Sequence, residues 1–164
     1  MAGHYGHRML DENVIEFLKA MGGGMLCTRN GECQPAASEL ILTDVTADRL
    51  IGIVPVHLGP HLPAYLSESR KASLVASHTF GDHRSVQVKG EVDVFEDAAV
   101  YDPAEFGEVP FNMARYYPSM AMELVRQAML VVMSCEVFKL ELVVSEVFDQ
   151  TPGPKAGAPL GAQA

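Results

Sequence analysis

The sequence predicts a mainly β chain, a small six-stranded antiparallel barrel with short helical insertions. Three observations carry this. Val86, Val88, Val92 and Val94 alternate with Ser85, Gln87, Lys89, Glu91 and Asp93, the period of two that gives a strand one apolar and one polar face. Asn30-Gly31 stands between two apolar runs, a strong short-range hairpin signal. Phe138, Leu140, Leu142 and Val144 alternate with Lys139, Glu141, Val143 and Ser145 inside an extended segment from Leu130 to Phe148, which serves as a closing strand.

The elements follow in order. Residues 1–9 read as a loose arm whose His4 and His7 have no carboxylate partner nearby. Asp11 is an N-cap for a helix over about 11–21, with Val14, Ile15, Phe17, Leu18 and Met21 at helical spacing and Gly22-Gly23-Gly24 as its stop. The glycine triplet lacks a preceding strand and a following Lys-Ser/Thr, so it is not read as a phosphate loop. Met25 to Thr28 and Cys33 to Thr43 form the hairpin, and a third strand over Arg49 to Val56 ends at Pro55, where a ladder donor is lost.

His57 and His61 are four apart, the spacing of a helical metal pair, but Gly59-Pro60 between them removes the helix, and no metal is expected. A short helix over roughly 61–69 presents Leu62, Tyr65 and Leu66, and a fourth strand runs from Lys71 to His78 around Leu74 and Val75. Gly90, inside the alternating run, marks a bulge, a bend or a close backbone approach. Asp97 to Phe106 reads as a short acidic helix broken by Pro103, and Pro110 opens another through Val125, divided at Pro118. The methionines and tyrosines there read as packing rather than ligands. The tail over 150–164 is rich in Pro, Gly and Ala and reads as irregular.

The bulk numbers bound the function. A chain of 164 residues, 48% hydrophobic and 20% charged, fits a single globular domain. A formal charge of −9 without a basic cluster disfavours nucleic acid and anionic membrane as partners. No apolar run reaches the ~18 residues a membrane span needs. The N-terminus lacks the apolar core of a signal peptide, so the expected location is cytoplasmic. Cys27, Cys33 and Cys135 have neither disulfide-framework nor metal spacing and are read as reduced. The polar face of the central strand has a distinctive content. Ser85, Gln87 and Lys89 set a hydroxyl, an amide and an ammonium in a row, hydrogen-bonding equipment on what would otherwise be a solvated barrel face.

In this order, the chain resembles the pyridoxamine 5′-phosphate oxidase-like FMN-binding split barrels, over about residues 9 to 160. Four stretches carry the resemblance: the helix and hairpin through Thr43; the third strand leading into His61-Leu62-Pro63-Ala64-Tyr65-Leu66-Ser67-Glu68-Ser69-Arg70; Arg84 to Val92, similar to a Gln-containing strand that ends in Gly; and Val147 to Pro154, similar to the tail of a bacterial subgroup. The resemblance implies a split barrel, a homodimer and FMN in a groove between the two barrels. It also implies that the FMN phosphate meets Pro55-Val56-His57 and Gly59 to His61. The ring edge would meet Ala36 to Glu39, Ser38 and Glu39 among them, and Ser85 and Gln87, with Lys89 beside them.

Departures from the family pattern are equally specific. The Arg-Lys pair that clamps phosphate in the oxidases is replaced by His61 and Leu62, Glu39 stands where a cation would serve, and Ser69-Arg70 replaces Asn-Pro. An authentic pyridoxamine phosphate oxidase is therefore not expected. His61, Arg70, Lys71, Arg84 and Lys89 remain as cations for a phosphate. The alternative is a non-catalytic module holding flavin or haem, with His57, His61, His78 or His83 as axial ligand, and a deazaflavin is a further substitute for FMN. Neither a substrate nor a catalytic residue is assigned.

Overall fold

The computed structural model describes residues 9–78, 82–100 and 135–160. Six strands, β1 (Gly23–Arg29), β2 (Pro35–Val45), β3 (Arg49–Pro55), β4 (Lys71–Ser77), β5 (Ser85–Val100) and β6 (Glu136–Asp149), form a closed barrel. Every neighbouring pair is antiparallel, in the order β1-β2-β3-β6-β5-β4, and pairing of β1 with β4 closes it. Two helices, α1 (Glu12–Met21) and α2 (Leu62–Glu68), complete the described fold, with a single 3-10 turn at Val56–Leu58.

Helix α1 forms where its caps and apolar face agree. The Asp11 carboxylate accepts the Val14 N–H at 2.8 Å, a cap worth about 1 kcal/mol. Gly22 ends the helix in the left-handed region (φ 69°), and its N–H reaches the Leu18 carbonyl at 3.0 Å. The chain then enters β1 at Gly23, so the glycine triplet is a cap and a strand start together. Val14, Phe17 and Leu18 pack on a core whose inward residues include Leu26, Leu40, Leu42, Leu50, Leu74, Leu140 and Leu142, all essentially inaccessible.

The two helices lie at opposite ends of β1. The Gly22 carbonyl accepts the Leu42 N–H at 2.9 Å, while beyond the far end of β1 the Glu68 carboxylate of α2 accepts the Gly31 N–H at 2.7 Å. Leu62 and Leu66 of α2 add to the core from that end.

One local expectation is corrected and two are made specific. The expected hairpin exists, and in its loop Cys33 takes the left-handed conformation (φ 64°) while Asn30 N–H bonds the Gln34 carbonyl at 3.2 Å. The expected acidic helix from Asp97 is strand as far as Val100, because Ala99 and Val100 pair with Val137 and Glu136. Its remainder, and the helix expected from Pro110, lie outside the described residues, as does most of the N-terminal arm. The described part of the tail forms no regular element, as expected. It doubles back on β6, with Leu160 N–H donating to the Val147 carbonyl at 2.7 Å and a bridge between Phe148 and Pro159.

Candidate functional site

Side chains alternate across a strand, so residues that oppose one another in register share a sheet face. Leu26, Leu74, Val86 and Val88 point inward, which sends their neighbours outward. One row on that outer face runs Glu39, Met25, Val75, Gln87, Phe148 across β2, β1, β4, β5 and β6. The next row runs Ala37, Cys27, Ser73, Lys89, Glu146. Beyond it, Arg29 opposes Pro35 and Lys71 opposes Glu91.

This face has a defined chemistry. Met25 is 49% exposed at its middle, beside half-buried Val75. Gln87 Nε2 donates to Ser73 Oγ at 3.0 Å, and Gln150 Nε2 donates to Gln87 Oε1 at 3.0 Å. These two bonds fix the amide's direction. The Lys89 ammonium lies 4.4 Å from the Phe148 ring centroid and 3.9 Å from the Glu146 carboxylate.

The eight residues singled out from sequence are distributed over distinct environments. Glu39, Gln87 and Lys89 share the outer face. Ser38 faces inward and is buried, its Oγ 3.2 Å from His61 Nε2. His61 caps α2, and its ring packs edge-on against Tyr65 with centroids 5.1 Å apart. Val56 and His57 sit on the 3-10 turn, Val56 packed on the core and His57 exposed. Ser85 also begins on the outer face, but its hydroxyl is buried, 2.7 Å from Ser77 Oγ and donating to the Ala76 carbonyl at 3.4 Å.

Of the cations expected to meet a phosphate, Arg70 donates to the Asp93 carbonyl at 2.7 Å and Arg84 stacks 4.6 Å over Phe17. Both are engaged in the fold. His78 Nδ1 is 2.9 Å from the Asp82 carboxylate. Among the described residues, no three His, Cys, Asp or Glu side chains gather to hold a metal. Nor is any described helix long and apolar enough to cross a membrane.

Burial lowers the His61 pKa below its ordinary 6.5, so the native state favours neutral imidazole. The stability this gives is present above 6.5 and is lost as pH falls through the lower native value. The melting temperature is expected to drop on acidification from 6.5 toward the lower native value, with no further loss from His61 below it. Thermal scans of His61→Phe should show a shallower acid-side slope, and an identical slope would remove His61 from the account.

Met25, Val75, Ser73 and Gln150 were not singled out from sequence. Their signal is the β1–β4–β5 register, which joins segments distant along the chain.

No protein-family model matches the chain, and no curated protein matches it in sequence. Solved structures do match it in fold. A Clostridium acetobutylicum protein related to general stress protein 26 of B. subtilis, of the pyridoxinephosphate oxidase family, superposes with a TM-score of 0.53 at 9% identity, covering 87% of this chain and 92% of that one. A candidate pyridoxamine 5′-phosphate oxidase from Lactobacillus delbrueckii gives 0.50 at 15% identity, covering 88% and 97%. An F420 reductase gives 0.50 at 13% identity, covering 84% and 98%. At these identities the shared property is the fold.

Proposed function

We propose that this chain, which has the fold of the pyridoxamine 5′-phosphate oxidase-like split barrels, is an FMN-binding flavoprotein acting as an oxidoreductase in a homodimer. The observation that carries this reading is the outer row Glu39, Met25, Val75, Gln87. Met25 and Val75 make an apolar platform across β1 and β4, and a primary amide of fixed direction stands at its edge. A flat heteroaromatic ring with a polar rim fits both. FMN would supply hydride or one-electron transfer at that ring.

The chain's own part is binding and orientation. With one N–H of Gln87 given to Ser73, the second can donate to a ring oxygen or nitrogen. A second barrel laid over the half-exposed platform would exclude water from it, which is the reason for proposing the homodimer. The fold shared with a member of the pyridoxinephosphate oxidase family and with an F420 reductase supports redox chemistry on a flavin-like ring. The missing Arg-Lys clamp, with His61 held inward against Ser38, supports a substrate other than pyridoxamine phosphate.

The test is an absorption spectrum of freshly purified protein, with mass spectrometry of whatever heat releases and an FMN titration if nothing is released. Flavin bands with FMN released, or FMN taken up on titration, are expected. A Soret band, a released deazaflavin, or no uptake of FMN would overturn the assignment. Gln87→Ala should weaken FMN about tenfold, the worth of one good hydrogen bond, while leaving the oligomeric state unchanged by light scattering. Full retention of FMN would remove Gln87 from the site.

A further inference from the structure

Two residues along the strands from the platform, the same face opens into a groove of about 670 Å³. Cys27, Arg29, Cys33, Lys71, Ser73 and Lys89 line it. Three cations on one groove are unexpected in a chain of net charge −9, whose general field repels anions. Two of them have little else to do. The Arg29 guanidinium donates to Cys33 Sγ at 2.9 Å, which occupies one of its five N–H groups. Lys71 is exposed and forms no ion pair among the described residues, although it opposes Glu91 in register. Lys89 is shared with Glu146 and the Phe148 ring. The groove also carries two carboxylates, Glu146 opposite Lys89 and Glu91 opposite Lys71, whereas Arg29 opposes Pro35, so an anion between Arg29 and Lys71 would favour the Arg29 end.

We propose that this groove is an anion-binding subsite, with Arg29 and Lys71 gripping the phosphate or carboxylate of a small molecule that lies along the sheet face, and with Cys33 at its rim. The planar guanidinium offers paired donors to an oxyanion, and the flexible ammonium adds a point charge opposite. Four residues of strand separate the Gln87 row from the Arg29 and Lys71 positions, about 13 Å at the usual rise. That distance suits a ring at one end and its anionic group at the other. The anion is either the phosphate of the flavin nucleotide or that of a separate substrate. Only the first source rests on the flavin reading.

The test uses Arg29→Gln/Lys71→Gln, both on the outer face of the sheet, Lys71 exposed and Arg29 half-buried. Flavin fluorescence quenching gives the affinities for FMN and for riboflavin, which lacks the phosphate. Alkylation of Cys33 by iodoacetamide, followed by peptide mass with and without inorganic phosphate, reads the groove directly. A wild-type preference for FMN of about tenfold or more, lost in the double variant, supports the subsite and assigns the anion to the flavin. Equal binding of the two flavins, with phosphate slowing Cys33 alkylation in wild type but not in the variant, supports it and assigns the anion to a second ligand.

An FMN preference that survives in the variant overturns the proposal, and so does absence of both preference and protection. If neither flavin binds, the flavin reading fails alone, and the protection experiment still decides the groove. Arg29→Lys/Lys71→Arg keeps both charges and should keep the wild-type behaviour, which separates loss of charge from loss of fold.

Discussion

Gly90→Val is expected to abolish the folded barrel. Gly90 is buried in β5, where the register against β6 shifts between Lys89 and Gly90. A Cβ at this position would collide with the Val143 carbonyl oxygen of β6, with the Val143 carbonyl carbon at 2.9 Å and Val144 Cα at 3.3 Å. All three are backbone atoms of the paired strand, so relief requires the two strands to part. Parting them costs ladder hydrogen bonds and the burial of Val88, Val92, Leu142 and Val144 at the same place. A loss above about 4 kcal/mol is a large share of the 5–15 kcal/mol that holds a domain of this size.

Strand propensity alone gives the opposite sign, since valine is preferred over glycine in strands. Gly90→Ala separates the two accounts, because the first carbon already makes the collision. It should be nearly as damaging as valine. Soluble yield, far-UV circular dichroism and the melting temperature measure this, and a variant that melts with wild type would sink the close-approach explanation.

What was legible in the sequence was local. The two faces of β5 could be assigned from Val86, Val88 and Val92 against Ser85, Gln87 and Lys89, because strand alternation needs no knowledge of neighbours. Gly90 inside that run marked a bulge, a bend or a close approach, and the strand has both a register shift and a close backbone there. Pairing was another matter. Ser38 and Glu39 were grouped as one edge, yet adjacent strand residues face opposite sides, and only Glu39 shares the Gln87 face. Met25 read as an ordinary strand start because its neighbours Val75 and Gln87 lie far along the chain.

The acidic run from Asp97 suggested helix on composition, and partnership with β6 overrode it. Asn30-Gly31 marked the hairpin, and the residue that turns left-handed in its loop, Cys33, carries no such signal. The tail's composition hid the hydrogen bonds that return it to β6, and with them Gln150, which steadies the Gln87 amide.

Met25→Glu tests the platform where the largest functional effect is expected, a loss of FMN affinity of about a hundredfold with little change in melting temperature. Met25 is nearly half exposed, so its replacement removes little core packing. The new carboxylate would stand directly across from Glu39 and beside Val75, in the middle of the apolar row. Covering it with a flat ring strips its water without supplying a cation, a cost of several kcal/mol in the absence of relief. Its charge also opposes the phosphate of the incoming nucleotide, which adds a part that salt should screen.

Met25→Leu restores an apolar surface of similar volume and should bind FMN within a few fold of wild type. Fluorescence titrations of the three proteins at low and high salt give the comparison. If the Glu variant binds FMN as wild type does, the ring does not lie over β1, and the outer row loses its place as the binding surface. If both variants lose FMN equally, the contact depends on the thioether itself rather than on an apolar platform.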